Sequence, residues 1–300
     1  DSPQDMFGFY NYMEKKYKAS ELSRALVRMD PYNYQGDFKG GEWAHERMLL
    51  VLLDEMNLAR TEYYFSEFLS KLELRRMVED PSNQVKRSQA ELDLDAGPGA
   101  RPFKVWVPNN IFFVGTMNED ETTQTLSDKV LDRANVLRFG KPDEKTGQAA
   151  SYSEPSTRKS FLPYATWKNW IRSPRESDWQ KDVNRWVGDL NEALDGIGRP
   201  FGFRVRQAMA TYVANYPRTE DDNRYKLAFA DQIEQKILPK LRGLDMGETA
   251  CRATLNRIAS LINALGDAPL EEAFRNSQQE SMALGMFHWR GVTRPIDEDA

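Results

Sequence analysis

The feature that most constrains this chain is an unbroken apolar run that ends in two acidic residues. Residues Met48–Leu53 are all apolar, and Asp54 and Glu55 follow them directly. Apolar and polar residues do not alternate in this run, which predicts a strand covered by helices on both faces. A second run, Ile111–Val114, has the same character. The two runs predict an α/β fold built on a parallel sheet with flanking helices.

Polar side chains follow both predicted strands. Asp54 and Glu55 end the first, and Asn118 lies just beyond the second. Ligands of open parallel sheets bind outside the carboxyl ends of the strands, where a phosphate-bound Mg²⁺ would lie. There Asp54 would bind the metal, Glu55 would deprotonate a water, and Asn118 would position that water. The alternative is two solvated acids and an ordinary turn asparagine.

The rest of the first half predicts one helix and one polar excursion. Thr61–Leu72 carries apolar residues at spacings of three and four, as in an amphipathic helix. Asp80–Pro102 is rich in Asp, Gly and Pro, which predicts an exposed insertion. Phe103–Val107 alternates, and we expect it to form a hairpin-like approach to the second buried strand.

The second half is predicted to be mainly helical. Apolar stripes run through Val183–Leu194 and Leu255–Leu265, each closed by glycine. A further helix is expected over Ala228–Ile237, ended by Pro239 because proline cannot continue a helix. The tail Val292–Ala300 has little to bury, and we expect it to fray. The predicted division is an α/β subdomain at 1–140, a linker or surface excursion at 141–165 and a helical lid at 166–300.

Composition excludes several classes of protein. The chain has 41 Lys and Arg against 46 Asp and Glu, a formal net charge of −5 without a large block of one sign. This argues against a protein that coats nucleic acid, so any DNA contact must be local. The single cysteine, Cys251, cannot form an internal disulfide, and two histidines cannot complete a zinc site with it. The longest apolar run is far below the ~20 residues that cross a bilayer. We expect a soluble, cytoplasmic protein without membrane contact.

Two segments resemble a known family. Leu52–Asn57 (Leu-Leu-Asp-Glu-Met-Asn) resembles the Walker B segment of AAA+ ATPases, and Gly115–Asn118 (Gly-Thr-Met-Asn) resembles their sensor 1 strand. The pairing of Asp-Glu-x-Asn with Met-Asn is similar to the McrB branch, the nucleotide-driven motor subunits of modification-dependent restriction systems. Asp5–Asn11 resembles the loop after the family's first helix, Leu126–Arg133 resembles the helix with the arginine finger, and Arg199–Val205 resembles the lid segment with the sensor 2 arginine.

The resemblance covers roughly residues 1–241 and implies a fold and an activity. The fold would be a partial AAA+ P-loop NTPase core followed by a helical lid. The activity would be Mg²⁺-dependent hydrolysis of ATP or GTP in a ring, expected to be a hexamer. Asp54 would bind the metal, Glu55 would be the base and Asn118 would sense the terminal phosphate. Arg133 would reach the neighbouring subunit's nucleotide, the alternative being an exposed helical arginine paired with Asp132 or Asp128. Asn57 and Arg204 would contribute to nucleotide binding, with Arg206 as the alternative to Arg204.

The family's role implies partners as well. It implies a McrC-like nuclease subunit and DNA held by a domain outside this chain, in restriction of foreign DNA. Two alternatives stay open. One is a MoxR-like AAA+ chaperone that remodels proteins, and the other is a non-catalytic assembly module.

Two departures from the family's pattern matter. The phosphate-binding motif Gly-x-x-x-x-Gly-Lys-Ser/Thr does not occur in this sequence, and we expect it upstream of Asp1. This chain alone is therefore expected to be inactive. Glu121 and Thr122 stand where the well-known GTP-using members carry Asp and Arg, which leaves the choice between ATP and GTP open.

Overall fold

The computed structural model describes residues 2–32, 44–118, 126–140, 161–174, 178–217 and 224–294. The chain is mixed α/β and forms two compact units. The first unit contains the described residues up to 130 together with 161–170, and the second contains those of 131–140 and 171–294. Among the described helices, none combines the length and the apolar character that crossing a membrane requires.

The first unit combines short strands with short helices around one core. Its elements are α1 (Pro3–Phe7), β1 (Gly8–Asn11), β2 (Lys16–Ala19), α2 (Glu21–Met29), β3 (Leu49–Leu53), α3 (Thr61–Arg75), α4 (Gln84–Arg87), β4 (Leu92–Leu94), β5 (Phe103–Val105), β6 (Ile111–Gly115), α5 (Asp128–Leu131) and α6 (Tyr164–Trp170). The predicted helix over Thr61–Leu72 is confirmed as α3, whose Phe65, Phe68 and Leu69 are buried.

The two predicted strands pair with each other in parallel. Strand β3 lies beside β6 with Leu49 opposite Ile111 and Leu53 opposite Gly115. Asn110 fixes the start of the pair, because its side-chain amide donates to the carbonyls of His45 and Arg47. The small parallel sheet confirms the α/β class in its general form.

The expectation that helices cover both faces of these strands is wrong for the described residues. Leu50 and Leu52 are 64% and 61% exposed, and their partners across the pair, Phe112 and Val114, are exposed as well. The core lies on the opposite face only, where Leu49, Val51 and Leu53 pack. The other face is largely exposed, although the ring of Trp167 in α6 lies 4.9 Å from that of Phe112. The unbroken apolar run therefore lies in a sheet with one buried and one largely exposed face.

The predicted exposed insertion is also wrong in part. Strands β4 and β5 form an antiparallel pair, and Leu92 and Leu94 of β4 lie in the core. The approach strand Phe103–Val105 thus pairs with β4 within the supposed excursion. Burial extends to charged groups, since Arg87 forms ion pairs with Glu91 at 2.7 Å and Asp30 at 3.5 Å. The polar composition of this stretch reflects buried ion pairs as well as exposed turns.

The second unit is helical and has its own core. Its elements are α7 (Asp178–Asp195), α8 (Phe203–Asn215), α9 (Arg224–Gln232), a π-helical turn (Ile233–Ile237), a 3₁₀ turn (Leu238–Leu241), α10 (Thr249–Leu265) and α11 (Ala268–Leu284). The predicted stripes are confirmed in α7 and α10, and α10 ends at Gly266 in the left-handed conformation.

The C-terminal segment is partly docked where fraying was expected. Val292 is buried, and Arg294 contacts the carboxylates of Glu234 and Asp267 at 3.0 Å and Asp231 at 3.7 Å. Residues 295–300 lie outside the described part of the chain. The predicted linker at 141–165 is outside it up to residue 160, and Tyr164 then donates its backbone N–H to the Glu46 carbonyl.

Candidate functional site

The acidic pair and the second strand's polar end meet at one edge of the parallel sheet. Because Leu53 lies opposite Gly115, Asp54 and Thr116 leave the sheet side by side. The Thr116 hydroxyl donates to Asp54 Oδ1 at 2.5 Å and accepts the Glu55 backbone N–H at 2.8 Å. One hydroxyl therefore fixes the orientation of Asp54 and the backbone of Glu55 together.

Glu55 has an unusual backbone conformation. Its φ is +49°, in the left-handed region that residues other than glycine seldom occupy. Such residues are enriched at functional sites, where the surrounding structure holds them in place. Here the restraints are the Thr116 hydroxyl and the bond from the Met56 N–H to the Thr116 carbonyl at 2.9 Å. Asp54 and Glu55 are both exposed to solvent at this edge.

Helix α3 holds the turn that follows β3. The hydroxyls of Tyr64 and Thr61 donate to the Met56 carbonyl at 2.6 and 3.3 Å. Burial raises the pKa of Tyr64 above its ordinary value of 10.0. The Met56 side chain lies against Gly115, where an added Cβ would overlap with its sulfur. The turn is thus fixed from the helix and from β6.

Asn57 connects the two strand ends. It is 3% exposed, and its side-chain amide donates to the Asn118 carbonyl at 2.8 Å. The sequence predicts that Asn57 contributes to nucleotide binding, and this contact gives it a visible role in joining the two loops. Asn118 itself is exposed at the same edge as the acids. The chain beyond 118 lies outside the described residues until 126, and this gap includes Glu121 and Thr122.

The chain returns beside helix α3. The Ser127 backbone N–H donates to Glu62 Oε1 at 3.1 Å, and hydrogen bonding from Ser127 lowers the pKa of Glu62. Helix α5 then ends at Leu131, so Arg133 lies in the turn after the helix. The sequence predicts it within the helix, and that prediction is wrong. Asp132 and Ala134, on either side of Arg133, contact lysines of the unit to which they belong.

The predicted residues fall into two groups by their place in the chain. Asp54, Glu55, Asn57 and Asn118 belong to the first unit, and the strand pair brings them together. Arg133 and Arg204 belong to the second unit, where Arg204 is exposed in the first turn of α8. Their roles toward a nucleotide stay predictions.

The donor set at the sheet edge fits a magnesium ion that a nucleotide supplies with most of its ligands. In the described ranges, no three or more His, Cys, Asp or Glu side chains are grouped so that they could hold a metal ion. Mg²⁺ is commonly bound through one or two carboxylates, with waters and substrate phosphates as its other ligands. An exposed, oriented Asp54 with the Thr116 hydroxyl beside it matches that pattern.

Thr116 is not among the site residues predicted from the sequence, although its place directly after the second apolar strand is visible there. If the two strands are parallel and end together, the residue after Gly115 must lie beside the residue after Leu53. A threonine at that position offers both a donor and an acceptor. The sequence alone does not give the register of β3 with β6, and without the register Thr116 could not be placed beside Asp54.

Comparisons with known proteins leave the chain's family open. The model of one protein family, described as a domain of unknown function (DUF8727), matches residues 153–280, which is less than half of the chain. That match covers α7 to α10 and most of α11, so it falls mainly on the helical unit. No curated protein and no solved structure matches the chain.

Proposed function

We propose that this chain is part of a McrB-type AAA+ motor that hydrolyses a nucleoside triphosphate at the shared end of β3 and β6. The observation that carries the proposal is the parallel register of Leu53 with Gly115 and the contacts that follow from it. The Thr116 hydroxyl contacts the Asp54 carboxylate, and the Asn57 amide contacts the Asn118 carbonyl. A sheet edge with two acids, one of them oriented by a hydrogen bond, and an amide has the residue types needed to position a metal-bound phosphate and a water.

Each residue has a defined task in this proposal. Asp54 would hold the Mg²⁺ of the bound nucleotide, whose charge stabilises the charge that develops during phosphoryl transfer. Glu55 would accept a proton from the attacking water, and the bond from its backbone N–H to the Thr116 hydroxyl restrains the backbone from which its side chain extends. Asn118 would orient the water or the terminal phosphate. Thr116 and Asn57 act through the others and are positioning residues.

The open face of the sheet is consistent with the proposal. Leu50, Leu52, Phe112 and Val114 form an exposed apolar surface on a parallel strand pair, whereas parallel sheets are usually covered on both faces. A nucleotide-binding core of this class has a further strand, a phosphate-binding loop and a helix. In this proposal such elements cover the exposed apolar surface.

The broader role follows from the resemblance to the McrB branch. The motor would be a ring, expected to be a hexamer, in which Arg133 completes the site of the next subunit. It would work with a McrC-like nuclease and with DNA held by a separate domain. Arginine fingers of this kind raise turnover by about 10³–10⁵.

The test is the conversion of Glu55 to Gln in the full-length native protein. We expect Glu55→Gln to bind ATP or GTP as the unaltered protein does and to lose at least about 100-fold in turnover, because the general base is removed. The measurement combines nucleotide binding by fluorescence titration with steady-state phosphate release. The matched control is Glu67→Gln, an exposed glutamate on α3.

Each outcome has a definite meaning. Turnover by Glu55→Gln equal to that of Glu67→Gln would contradict the role of Glu55. A full-length protein that neither binds nor hydrolyses any nucleoside triphosphate would favour the assembly module. Hydrolysis stimulated by an unfolded protein and insensitive to DNA and to a nuclease partner would favour the protein-remodelling alternative.

A further inference from the structure

The backbone around Arg133 is held by an irregular stretch of helix in the second unit, called the break below. The break consists of the π-helical turn Ile233–Ile237 and the 3₁₀ turn Leu238–Leu241, which follow α9 without a gap. Pro239 has no N–H and so cannot donate to the Gln235 carbonyl, as a continued α-helix would require. That carbonyl accepts the Val136 backbone N–H instead, at 3.2 Å. The proline thus leaves an acceptor that the segment after Arg133 uses.

Lys236 makes the second contact of this docking. Its ammonium donates to the Ala134 carbonyl at 2.6 Å and to the Asp132 carbonyl at 3.2 Å. The two acceptors lie immediately before and after Arg133 in the chain. Lys236 is 4% exposed, which is rare for a lysine.

Lys240 adds an ion pair to the same segment. Its ammonium contacts the Asp132 carboxylate, and the lysine side chain is largely buried. Burying an ammonium group in the protein interior is costly unless it is paired and hydrogen-bonded. Two lysines on consecutive turns therefore contact the residues that flank one arginine. π-Helical turns are uncommon and frequently occur at functional sites.

We infer that Lys236 and Lys240 are positioning residues for Arg133, and that the helical unit fixes this arginine within its own chain. The inference rests on the proposed function for what Arg133 does, but the docking itself is a separate physical statement. A movement of the break would displace the backbone on both sides of Arg133. A displacement of about 1 Å at a group that stabilises a transition state can reduce turnover about 100-fold.

The experiment has a readout for docking that does not depend on activity. Hydrogen exchange is measured at the Val136 amide in the full-length protein for Lys236→Met, which keeps an unbranched apolar side chain one atom shorter and removes the donors. Lys240→Met is the second variant, in case the first lowers overall stability. Lys181→Met, an exposed lysine on α7, is the matched control. We expect exchange at Val136 to rise at least about tenfold in both variants and to stay unchanged in the control.

The functional readout is turnover and its rescue in mixed rings. We expect Lys236→Met to reduce kcat by about 10- to 100-fold with KM within about twofold, because phosphate binding is unaffected. Mixing it with Glu55→Gln should restore part of the activity, since those subunits carry an intact Arg133. Mixing it with Arg133→Ala should restore none. A variant that had only lost its fold would not be rescued in either mixture.

Contrary results separate the inference from the proposed function. If Val136 exchange is unchanged in both lysine variants, the docking is wrong. If exchange rises and Arg133→Ala loses turnover, but Lys236→Met matches Lys181→Met in kcat, the inference fails and the proposed function stands. If Arg133→Ala keeps full turnover, the arginine has no such role, and the inference is overturned with that part of the proposal.

Discussion

At the scale of single residues, the arrangement at the shared end of β3 and β6 depends on contacts that the loss or addition of one atom would change. Thr116 orients Asp54 and the Glu55 backbone through one oxygen. Gly115, the last residue of β6, leaves room for the Met56 side chain. These contacts connect the end of each strand to the loop of the other.

Gly115→Ala tests this packing. We expect a loss of about 1 kcal/mol in the free energy of unfolding, at the low end for overpacking, because the added Cβ would overlap with the Met56 sulfur and this flexible side chain can move aside. The measurement is chemical unfolding of the variant and of Gly115→Ala combined with Met56→Ala, which removes the obstructing side chain.

The double variant decides the cause. If overlap is responsible, the two changes together should cost less than the sum of the single changes. Gly188→Ala, at an open position inside α7, should not destabilise the protein, since alanine favours helix over glycine. Additive losses in the Gly115 and Met56 variants would contradict the packing argument.

At the scale of elements, residues near Arg294 make stability depend on pH. Burial raises the pKa of Asp231 and of Glu234 above their ordinary values of 3.8 and 4.5, and Arg294 opposes this effect. A carboxyl group whose pKa is raised by folding binds more protons in the folded state. Its contribution to stability is therefore greatest at low pH and falls as the pH rises through the folded pKa.

Arg294→Met should make this dependence steeper. We expect a loss of about 1–2 kcal/mol at pH 7, since Arg294 is partly exposed and its ion pairs are screened. The loss should shrink toward pH 4.5 as Asp231 and Glu234 take up protons. Urea unfolding at several pH values measures it, with Arg290→Met as the control, because its ion pair with Glu280 is exposed. An equal loss at pH 4.5 and pH 7 would contradict the assignment.

Some elements could be predicted from local pattern and others could not. The helices α3, α7 and α10 follow apolar spacing, and the end of α10 follows its glycine. The prediction of an exposed insertion from Asp80 to Pro102 was wrong in part, because a buried ion pair such as Arg87–Glu91 cannot be distinguished from exposed charges in the sequence. For the same reason the expected fraying of the C-terminal segment was wrong in part, because Arg294 contacts carboxylates from other parts of the chain.

At the scale of the whole molecule, the sequence predicted that the two apolar strands pair in parallel and bring their polar ends together, which the structure confirms, but not how those ends contact each other. Asp54, Glu55 and Asn118 could be selected because residues after buried strands of a parallel sheet share an edge. Thr116, the left-handed Glu55 and the buried amide of Asn57 depend on register and turn geometry, which arise only when β3 and β6 pair. The contacts of the Arg133 segment join residues about 100 positions apart, and local patterns do not encode such distances.

The central claim is that the shared end of β3 and β6 holds the metal of a bound nucleotide. Its most direct test is Mn²⁺ binding in place of Mg²⁺, measured by electron paramagnetic resonance on the full-length protein with a non-hydrolysable ATP or GTP analogue. We expect Asp54→Asn to weaken Mn²⁺ binding at least about tenfold and Asp189→Asn, an exposed residue on α7, to leave it unchanged. Equal Mn²⁺ affinity in the two variants would contradict the account.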